Sequence, residues 1–331
     1  MDTKERILSI LEERRGQVVS GAEIGRSLEI SRNAVWKAIN QLKAEGHKIE
    51  PSSNKGYRLS TDDDTLSLAG ILPFLTSGSS INPRQIEAHQ IEVRQTVSST
   101  NTLAKEMAIS GAPHGTTIIA NEQTAGRGRY GRSFFSPAGH GIYMSLVLDP
   151  ARMGFDEPAI TTIYTAVAVC EAIESVCEIK PQIKWVNDLF LNGKKICGIS
   201  AEAVMDLVTG STVQWIVVGV GVNFIPHELP EELVPIVGAL YEMRENGKPN
   251  TTRNRLAAEI INRLMAADTD DLIARYRERL FVLGKEVLVE GNEPYTATVL
   301  DINERGHLYV QKKDGEVKTL TAGEISIRPR F

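Results

Sequence analysis

Cysteine is scarce in this sequence. The 331 residues include three cysteines, Cys170, Cys177 and Cys197, and an odd count without a CxxC pair offers no disulfide framework. The six histidines never stand at zinc-ligand spacing from one another or from a cysteine. These absences predict a protein of a reducing compartment that has neither a disulfide scaffold nor a structural metal.

Long apolar runs are also missing. No run approaches the roughly 20 residues that span a bilayer, and the segment MDTKERILSILEE carries charge where a signal peptide would carry its apolar stretch. We therefore expect a soluble, cytoplasmic chain without membrane contact. Hydrophobic residues make up 42% and charged residues 24%, which excludes wholesale disorder. At roughly 100–200 residues per domain, the length predicts two or three domains.

The net charge of −5 is unevenly distributed. Residues 1–60 carry 11 basic and 8 acidic side chains, a net +3, and the remainder of the chain is therefore net −8. This asymmetry indicates a small basic module attached to an acidic body.

The first sixty residues predict a small helical module. Apolar side chains recur at helical spacing in KERILSILEERRG, an S-x-x-E capping box begins at Ser20, and Ser31 caps a third helix. The following segment, HKIEPSSNKGYRLS, predicts a hairpin with its turn around Ser52–Gly56. Two short helices joined by a tight turn and followed by a hairpin are typical of a winged helix-turn-helix domain.

The outward face of the third helix suits DNA. Arginine and lysine pair with phosphates and guanine, and asparagine pairs with adenine, when such a helix enters the major groove. A protein-interaction module with a merely solvated face is the alternative. The residues predicted to contact DNA are Ser20, Ser31, Arg32, Asn33, Trp36, Lys37 and Asn40.

Two further regions follow the helical module. The polar stretch Leu59–Ser67 predicts a linker, and we expect its acidic triplet, Asp62–Asp64, to be solvated rather than to bind a metal. The next ~200 residues alternate strand-like and helix-like segments, which predicts an α/β domain built around a sheet. From about Phe281, successive short strands predict a small antiparallel barrel. The fold class is thus a multidomain α/β (α+β) protein.

The segment GRGRYGR, Gly126–Arg132, is the densest chemical signal. It contains G-x-G-x-x-G, but a dinucleotide fold needs a helix directly after that motif. Pro137 and Gly139 interrupt the following residues, and a strand comes next, so we exclude a dinucleotide fold. The loop also lacks the G-K-[ST] ending of a P-loop. A glycine-rich loop with three arginines can close its backbone and guanidinium groups on phosphate or carboxylate oxygens.

The order VSSTN, NEQTAGRGRYGR, KWVND, GKKICGI and GVGVN resembles that of the biotin–protein ligases. With the helical module ahead and the small barrel behind, it is similar to the bifunctional form that is also a biotin operon repressor. The resemblance covers essentially the whole chain. Val186 stands where the family has proline and Phe134 where some members have tryptophan, and we expect neither side chain to be needed for the chemistry.

The resemblance implies three domains and a two-step reaction. A winged helix-turn-helix domain spans residues 1–62, a mixed-sheet catalytic domain residues 63–280, and an SH3-like barrel residues 281–331. Biotin attacks the α-phosphate of ATP, with Mg²⁺, to give biotinyl-5′-AMP and pyrophosphate. A lysine of the biotin carboxyl carrier protein of acetyl-CoA carboxylase then displaces AMP. The adenylate-bound protein is expected to be a homodimer that binds operator DNA.

The resemblance also implies roles for particular side chains. Thr100 and Gln123 bind the ureido ring of biotin, Lys195 bridges its carboxylate and the α-phosphate, and Asn223 faces phosphate or ribose. Asp188 lies on the Mg²⁺ or adenylate side, although no metal is held by the protein alone. The expected catalytic residues are Lys195, Arg127, Arg129 and Asp188. The expected ligand-binding residues are Ser99, Thr100, Asn101, Gln123, Gly126, Arg127, Gly128, Arg129, Arg132, Lys195, Gly219, Gly221 and Asn223.

Two other functions remain open at this point. A transcription factor that only senses a small molecule would be expected to have lost Lys195 or the arginines, which this chain keeps. A lipoate-type ligase would not be expected to carry the N-terminal helical module.

Overall fold

A computed structural model describes residues 2–52, 55–76, 90–128, 131–155, 157–205, 210, 212–242, 249–291, 293–321 and 325–326. Within these residues the chain forms a helical module, a central sheet with helices on both faces, and a small C-terminal sheet. The expected order of an N-terminal helix-turn-helix, a central mixed sheet and a small antiparallel sheet is therefore confirmed.

The N-terminal module has its own core. Each of its three helices begins at a capped residue: the side chains of Asp2, Ser20 and Ser31 accept hydrogen bonds from the backbone N–H three positions later, which stabilises a helix start. Buried aliphatic residues on the helices face one another and the hairpin. The elements are α1 (Thr3–Glu13), α2 (Gly21–Leu28), α3 (Arg32–Ala44), and the antiparallel strands β1 (Ile49–Ser52) and β2 (Gly56–Leu59).

The expectation that the acidic triplet is solvated is wrong for two of its three residues. Asp63 is fully buried, with one carboxylate oxygen 2.9 Å from Nδ1 of His47. Asp64 accepts hydrogen bonds from the backbone N–H of Arg253 at 2.6 Å and from its Nε at 3.0 Å. The segment after the hairpin is therefore held against both the helical module and the central sheet.

The central sheet is mixed. Its seven strands lie in the order β3-β4-β5-β9-β8-β7-β6, with β3 parallel to β4 and the other neighbours antiparallel. The strands are β3 (Ile91–Val97), β4 (Thr117–Gln123), β5 (Gly141–Leu148), β6 (Gln182–Lys184), β7 (Asp188–Leu191), β8 (Lys194–Met205) and β9 (Val213–Asn223).

The two faces of this sheet differ in what covers them. One face packs on the helix α5 (Thr100–Ile109), and the other packs on α7 (Pro158–Cys177) and α8 (Arg253–Ala266). Alternate residues of a strand point to opposite faces, so β5 contributes aliphatic side chains to the main core and Tyr143 and Ser145 to the α5 face. The remaining helices are α4 (Leu68–Ile71), a 3₁₀ turn at Leu72–Phe74, α6 (Pro150–Met153) and α9 (Leu272–Arg279).

Helix α7 corrects one expectation from the sequence. By length and composition it is long and apolar enough to cross a membrane, although no apolar run was expected to approach that length. However, 78% of its most apolar stretch is buried inside the protein, as in the core helix of a globular domain. Cys170 and Cys177 lie buried on this helix, and Cys197 lies buried on β8.

The C-terminal strands form a five-stranded antiparallel sheet in the order β13-β12-β11-β10-β14. Its buried side chains belong to the same core as the central sheet, and the indole N–H of Trp185 donates to the carbonyl of Gly306 at 3.0 Å. The two sheets are therefore packed as one body. The strands are β10 (Glu286–Val289), β11 (Tyr295–Ile302), β12 (Leu308–Lys312), β13 (Val317–Leu320) and β14 (Ile325–Ser326).

Candidate active site

A cavity of about 60 Å³ lies on the α5 face of the central sheet. It is bounded by the start of α5, the end of β4, the last residues of β9, the first half of β8 and the loop between β4 and β5. Nine of the expected ligand-binding residues line it: Ser99, Thr100, Asn101, Gln123, Arg127, Gly128, Lys195, Gly219 and Gly221.

The start of α5 supplies the polar end of the cavity. Ser99 caps the helix, and the next residue, Thr100, donates its backbone N–H to Oε1 of Gln123 at 2.9 Å. The hydroxyl of Thr100 lies 3.1 Å from the same oxygen and 2.7 Å from Oγ of Ser145. These groups are half-buried or buried, so a ligand entering here meets a preformed set of hydrogen-bonding partners.

Two glycines of β9 allow neighbouring side chains to lie directly on this face of the sheet. A β-carbon at Gly219 would overlap the amide of Asn101, and one at Gly221 would overlap the ring of Phe134. Glycine is required at both positions because these side chains lie directly on the strand. The ring of Phe134 thereby lines the cavity, and the expectation that the chemistry does not need this side chain stays a prediction.

The opposite end of the cavity is charged. Nζ of Lys195 lies 2.7 Å from a carboxylate oxygen of Asp188 on the neighbouring strand. The backbone of Lys195 is fixed as well: its N–H donates to Ile236 and its carbonyl accepts from Gly238. Burial raises the pKa of the nearby Cys197 thiol well above its ordinary value, so this cysteine stays protonated and is not a nucleophile.

The arginine–glycine loop covers the cavity from between β4 and β5. Among the described residues after the loop, 131–140, no α-helix forms before β5, as expected. The loop folds back on itself, because the N–H of Gly128 donates to the carbonyl of Arg132 at 2.7 Å and that of Phe134 to Gly126 at 2.9 Å. Arg127 lines the cavity and remains exposed, and Arg132 is exposed outside the lining. Arg129 lies outside the described residues.

Asn223 does not line the cavity. It is buried at the end of β9, and its side-chain amide donates to the carbonyl of Gly238 at 3.1 Å. This bond holds the segment that pairs with Lys195, and a role of Asn223 toward phosphate or ribose stays a prediction.

Sequence reasoning missed several residues of the site. Asn187 lines the cavity and donates to the carbonyl of Ile199 at 2.9 Å, which closes the KWVND turn onto β8. Ser200 also lines the cavity, and Glu202 lies just beyond it. The two-residue alternation from Gly198 through Ser200 to Glu202 is the signal that could have identified them, because it places all three on one face of β8.

The predicted DNA-binding side chains divide into two groups. Ser20 and Ser31 use their hydroxyl oxygens as helix caps, with acceptor distances of 3.0 and 3.1 Å. Trp36 is 54% exposed although it is a large apolar residue. The remaining exposed residues share the same face of α3: Arg32, Asn33, Lys37 and Asn40.

Three known families match consecutive parts of the chain. Residues 93–223 match the Biotin/lipoate A/B protein ligase family, residues 3–58 match an HTH domain, and residues 282–328 match the Biotin protein ligase C terminal domain. The fold and the cavity thus define a biotin- or lipoate-ligase type of protein that carries a helix-turn-helix domain.

Individual relatives cover more of the chain. The Bifunctional ligase/repressor BirA of Bacillus subtilis is 35% identical over 71% of this chain and 69% of its own length. The BirA of Escherichia coli is 30% identical over 95% of this chain and 94% of its own length. A solved structure, Biotin protein ligase from Aquifex aeolicus in complex with biotin and ATP, is 27% identical, has a TM-score of 0.61, and covers 72% of this chain and 98% of its own. The chain belongs to the family of the bifunctional ligase/repressor BirA proteins.

Proposed function

We propose that this protein is an ATP-dependent biotin–protein ligase and a repressor of biotin biosynthesis that responds to the biotinyl-adenylate. The observation that carries the ligase function is one cavity with a neutral hydrogen-bonding cluster at one end and an ion-paired lysine at the other. The first end suits a polar ring, and the second suits a carboxylate that reacts with a phosphate.

Biotin enters with its ureido ring toward Thr100 and Gln123. Its hydrocarbon part lies along the glycine strand and the ring of Phe134, both of which line the cavity. The carboxylate then points toward Lys195. This orientation satisfies the usual pattern of a small-molecule site, in which apolar walls bind and a few polar groups orient.

Adenylation needs fixed positive charge rather than a protein nucleophile. The carboxylate oxygen of biotin attacks the α-phosphorus of ATP, and the bond from that phosphorus to the bridging oxygen of pyrophosphate breaks. Charge accumulates on the phosphate oxygens, and donors placed in advance stabilise it. Lys195 carries three N–H donors, and a single contact with Asp188 leaves two for the carboxylate and the phosphate.

The loop closes over the intermediate. Arg127, Gly128 and Arg129 would shield the mixed anhydride from water until a lysine amine of the carrier protein attacks its carbonyl carbon and releases AMP. Gly126 permits the sharp approach of the loop to Phe134 and Ser136. We assign Arg132 to the outer surface of the same loop.

Mg²⁺ would arrive with the phosphates of ATP. Within the described residues, no group of three or more His, Cys, Asp or Glu side chains could hold a metal ion. Mg²⁺ usually keeps several waters and takes one or two carboxylates in addition to phosphate oxygens. Asp188 fits such a single carboxylate, and its other role is to orient Lys195.

We propose the finer architecture as follows. Residues 1–62 form a winged helix-turn-helix domain with α3 in the major groove and the hairpin as the wing, and residues 63–280 form the catalytic domain. Residues 281–331 form an SH3-like barrel. The adenylate-bound protein is a homodimer on operator DNA, its acceptor is the biotin carboxyl carrier protein of acetyl-CoA carboxylase, and its location is the cytoplasm.

The test is transfer to a carrier domain. With MgATP and biotin the purified protein should release pyrophosphate and label one lysine of the carrier domain of acetyl-CoA carboxylase. Lipoate in place of biotin should give little label. Preference for lipoate, or biotin binding without any adenylation, would contradict the ligase function and leave a lipoate ligase or a pure repressor, respectively.

A further inference from the structure

A carboxylate lies just behind the polar end of the cavity. Oε1 of Glu202 accepts a hydrogen bond from Nδ2 of Asn101 at 2.8 Å, and its other oxygen is ion-paired with Lys105. Asn101 and Lys105 are four residues apart on α5 and therefore share one face of the helix. Both consequently reach the same carboxylate on β8.

This carboxylate decides the orientation of the Asn101 amide. An ionised carboxylate only accepts hydrogen bonds, so the NH₂ group of Asn101 must face Glu202. The same NH₂ donates to Oγ of Ser200 at 2.9 Å. The carbonyl oxygen of Asn101 is then left facing Oγ of Ser145 at 2.6 Å.

The orientation is transmitted to Thr100. Ser145 has a single hydroxyl proton, which it must give to the carbonyl oxygen of Asn101, so its oxygen can only accept from Thr100 at 2.7 Å. The other neighbour of the Thr100 hydroxyl is Oε1 of Gln123, which is also an acceptor. Thr100 therefore donates its proton within the protein, and its oxygen offers a lone pair to the cavity.

Glu202 remains ionised at neutral pH. Burial opposes its ionisation, but the hydrogen bonds from Lys105 and Asn101 and the charges of Lys105 and Arg127 outweigh burial and hold its pKa below the ordinary value. The side chain does not line the cavity, so it reaches a ligand only through Asn101 and the residues beyond.

We propose that Glu202 is a positioning residue for biotin, which fixes the Asn101 amide and thereby makes Thr100 an acceptor for a ureido N–H of the ligand. This inference rests on the proposed function, because it specifies how the same cavity distinguishes the ureido ring. It predicts that Glu202 affects biotin recognition and leaves the ATP side of the reaction unchanged.

The test begins with Glu202→Gln. A glutamine must turn its carbonyl oxygen toward Lys105, so its NH₂ faces Asn101 and forces that amide to rotate. The rotated Asn101 amide disturbs the buried hydrogen bonds of Ser145 and Thr100, and a buried polar group without its proper partner is costly. The KM for biotin should therefore rise about 10- to 100-fold. The kcat at saturating biotin and the KM for ATP should stay within about threefold of wild type. Glu106→Gln, an exposed substitution on α5, is the matched control and should behave as wild type.

A rescue variant separates positioning from folding. Adding Asn101→Asp to Glu202→Gln transfers the carboxylate from position 202 to position 101. The new carboxylate at position 101 accepts a hydrogen bond from the hydroxyl of Ser145, as the Asn101 carbonyl does in wild type, and it also accepts one from the NH₂ group of the glutamine at position 202. The double variant should recover most of the biotin KM, whereas Asn101→Asp alone would bring two carboxylates together and should not.

The outcomes are distinct. An unchanged biotin KM in Glu202→Gln would overturn the proposal. An equal rise in the KM for biotin and the KM for ATP would assign Glu202 a structural role and overturn the proposal as well. A double variant that folds without recovering the biotin KM would do the same. A wild-type protein that releases no pyrophosphate with biotin would instead refute the proposed function, so the two failures are distinguishable.

Discussion

The ammonium group of Lys195 lies 2.7 Å from the carboxylate of Asp188, across the antiparallel pair formed by β7 and β8. Both side chains are largely shielded, with 25% and 20% of their surfaces exposed. The carboxylate holds the lysine at the charged end of the cavity and balances its charge. A flexible lysine is thereby preorganised for anionic oxygens, which is how fixed charge becomes useful in catalysis.

The first prediction concerns Lys195→Ala. Pyrophosphate release from biotin and MgATP should fall by about 10²–10³-fold or more, because stabilisation of charge in the transition state is lost. The substitution leaves the core unchanged, so circular dichroism and thermal unfolding should remain close to wild type. A pyrophosphate-release assay measures the loss.

Lys194→Ala is the matched control for this prediction. Lys194 is the preceding residue, and its Nζ donates to the carbonyl of Val234 at 3.1 Å outside the cavity lining. Near-normal turnover is expected there. If Lys195→Ala also turned over normally, Lys195 would have no place in the mechanism.

Local signals made the helical module predictable from the sequence. Ser20 and Ser31 predict the starts of two helices, and the buried apolar residues of α3 recur at helical spacing. The cavity residues were predictable where they belong to motifs whose order resembles that of a known family. Nine of the predicted ligand-binding residues line one cavity.

Contacts between distant parts of the chain were not predictable in the same way. Asp64 meets Arg253 across 189 residues, and Glu202 meets Asn101 across 101. In the sequence, Asp64 stands in a polar run that looks solvated and Glu202 in an ordinary strand. Nothing local distinguishes such a carboxylate from an exposed one, because its partner is supplied by the fold.

A second prediction follows from the contact between Gly221 and Phe134. Gly221→Ala places a methyl group against the aromatic ring, and such overpacking costs about 1–3 kcal/mol. If the Phe134 ring moves away to remove this overlap, it narrows the cavity. Biotin should therefore bind about tenfold more weakly or worse. Isothermal titration calorimetry measures this change.

The companion variant for Gly221 is the double substitution Gly221→Ala with Phe134→Leu. A smaller side chain at position 134 removes the overlap and should recover part of the lost affinity. Additive losses in the two single variants and the double variant would show that the ring and the glycine do not act as a pair.

The third prediction is a pH dependence of stability. Burial opposes ionisation of Asp63, but the hydrogen bond and charge of His47 and the N–H of Lys48 outweigh burial and lower the pKa of the carboxyl below its ordinary value of 3.8. Its contribution is therefore present above that value and is lost as the pH falls through the lower folded-state pKa. Asp63→Asn should destabilise the protein by about 1–3 kcal/mol at neutral pH, and the difference should shrink toward about pH 3.

Urea unfolding of wild type and Asp63→Asn at several pH values measures this difference. Asp62→Asn, at the exposed neighbouring position, should stay within about 0.5 kcal/mol at every pH. A difference for Asp63→Asn that grows on acidification would have the wrong sign for a carboxyl with a lowered pKa.

Arg253 connects the DNA-binding module to the loop that covers the cavity. Its guanidinium binds Asp64 in the segment after the hairpin and donates to Oδ1 of Asn121 at 3.2 Å on β4. The same oxygen of Asn121 accepts from the N–H of Gly139 at 3.2 Å, where the loop returns to β5. A shift of this loop is therefore physically linked to the segment that carries the DNA-binding module.

The final prediction is that adenylate formation tightens both dimerisation and operator binding. The basic module nets only +3, and one such module with few phosphate contacts binds DNA weakly at physiological salt. Two copies at a fixed half-site spacing on a palindromic operator would overcome this weakness. Biotin with ATP should strengthen both equilibria by about 5- to 150-fold, and operator DNA should tighten adenylate binding by the same factor, because linkage is reciprocal.

Arg253→Gln should reduce this coupling between the adenylate and operator DNA more than it reduces adenylate synthesis. Sedimentation and DNase footprinting with and without the adenylate measure it; equal dimer and DNA affinities in the two states would exclude the coupling while leaving the ligase function in place.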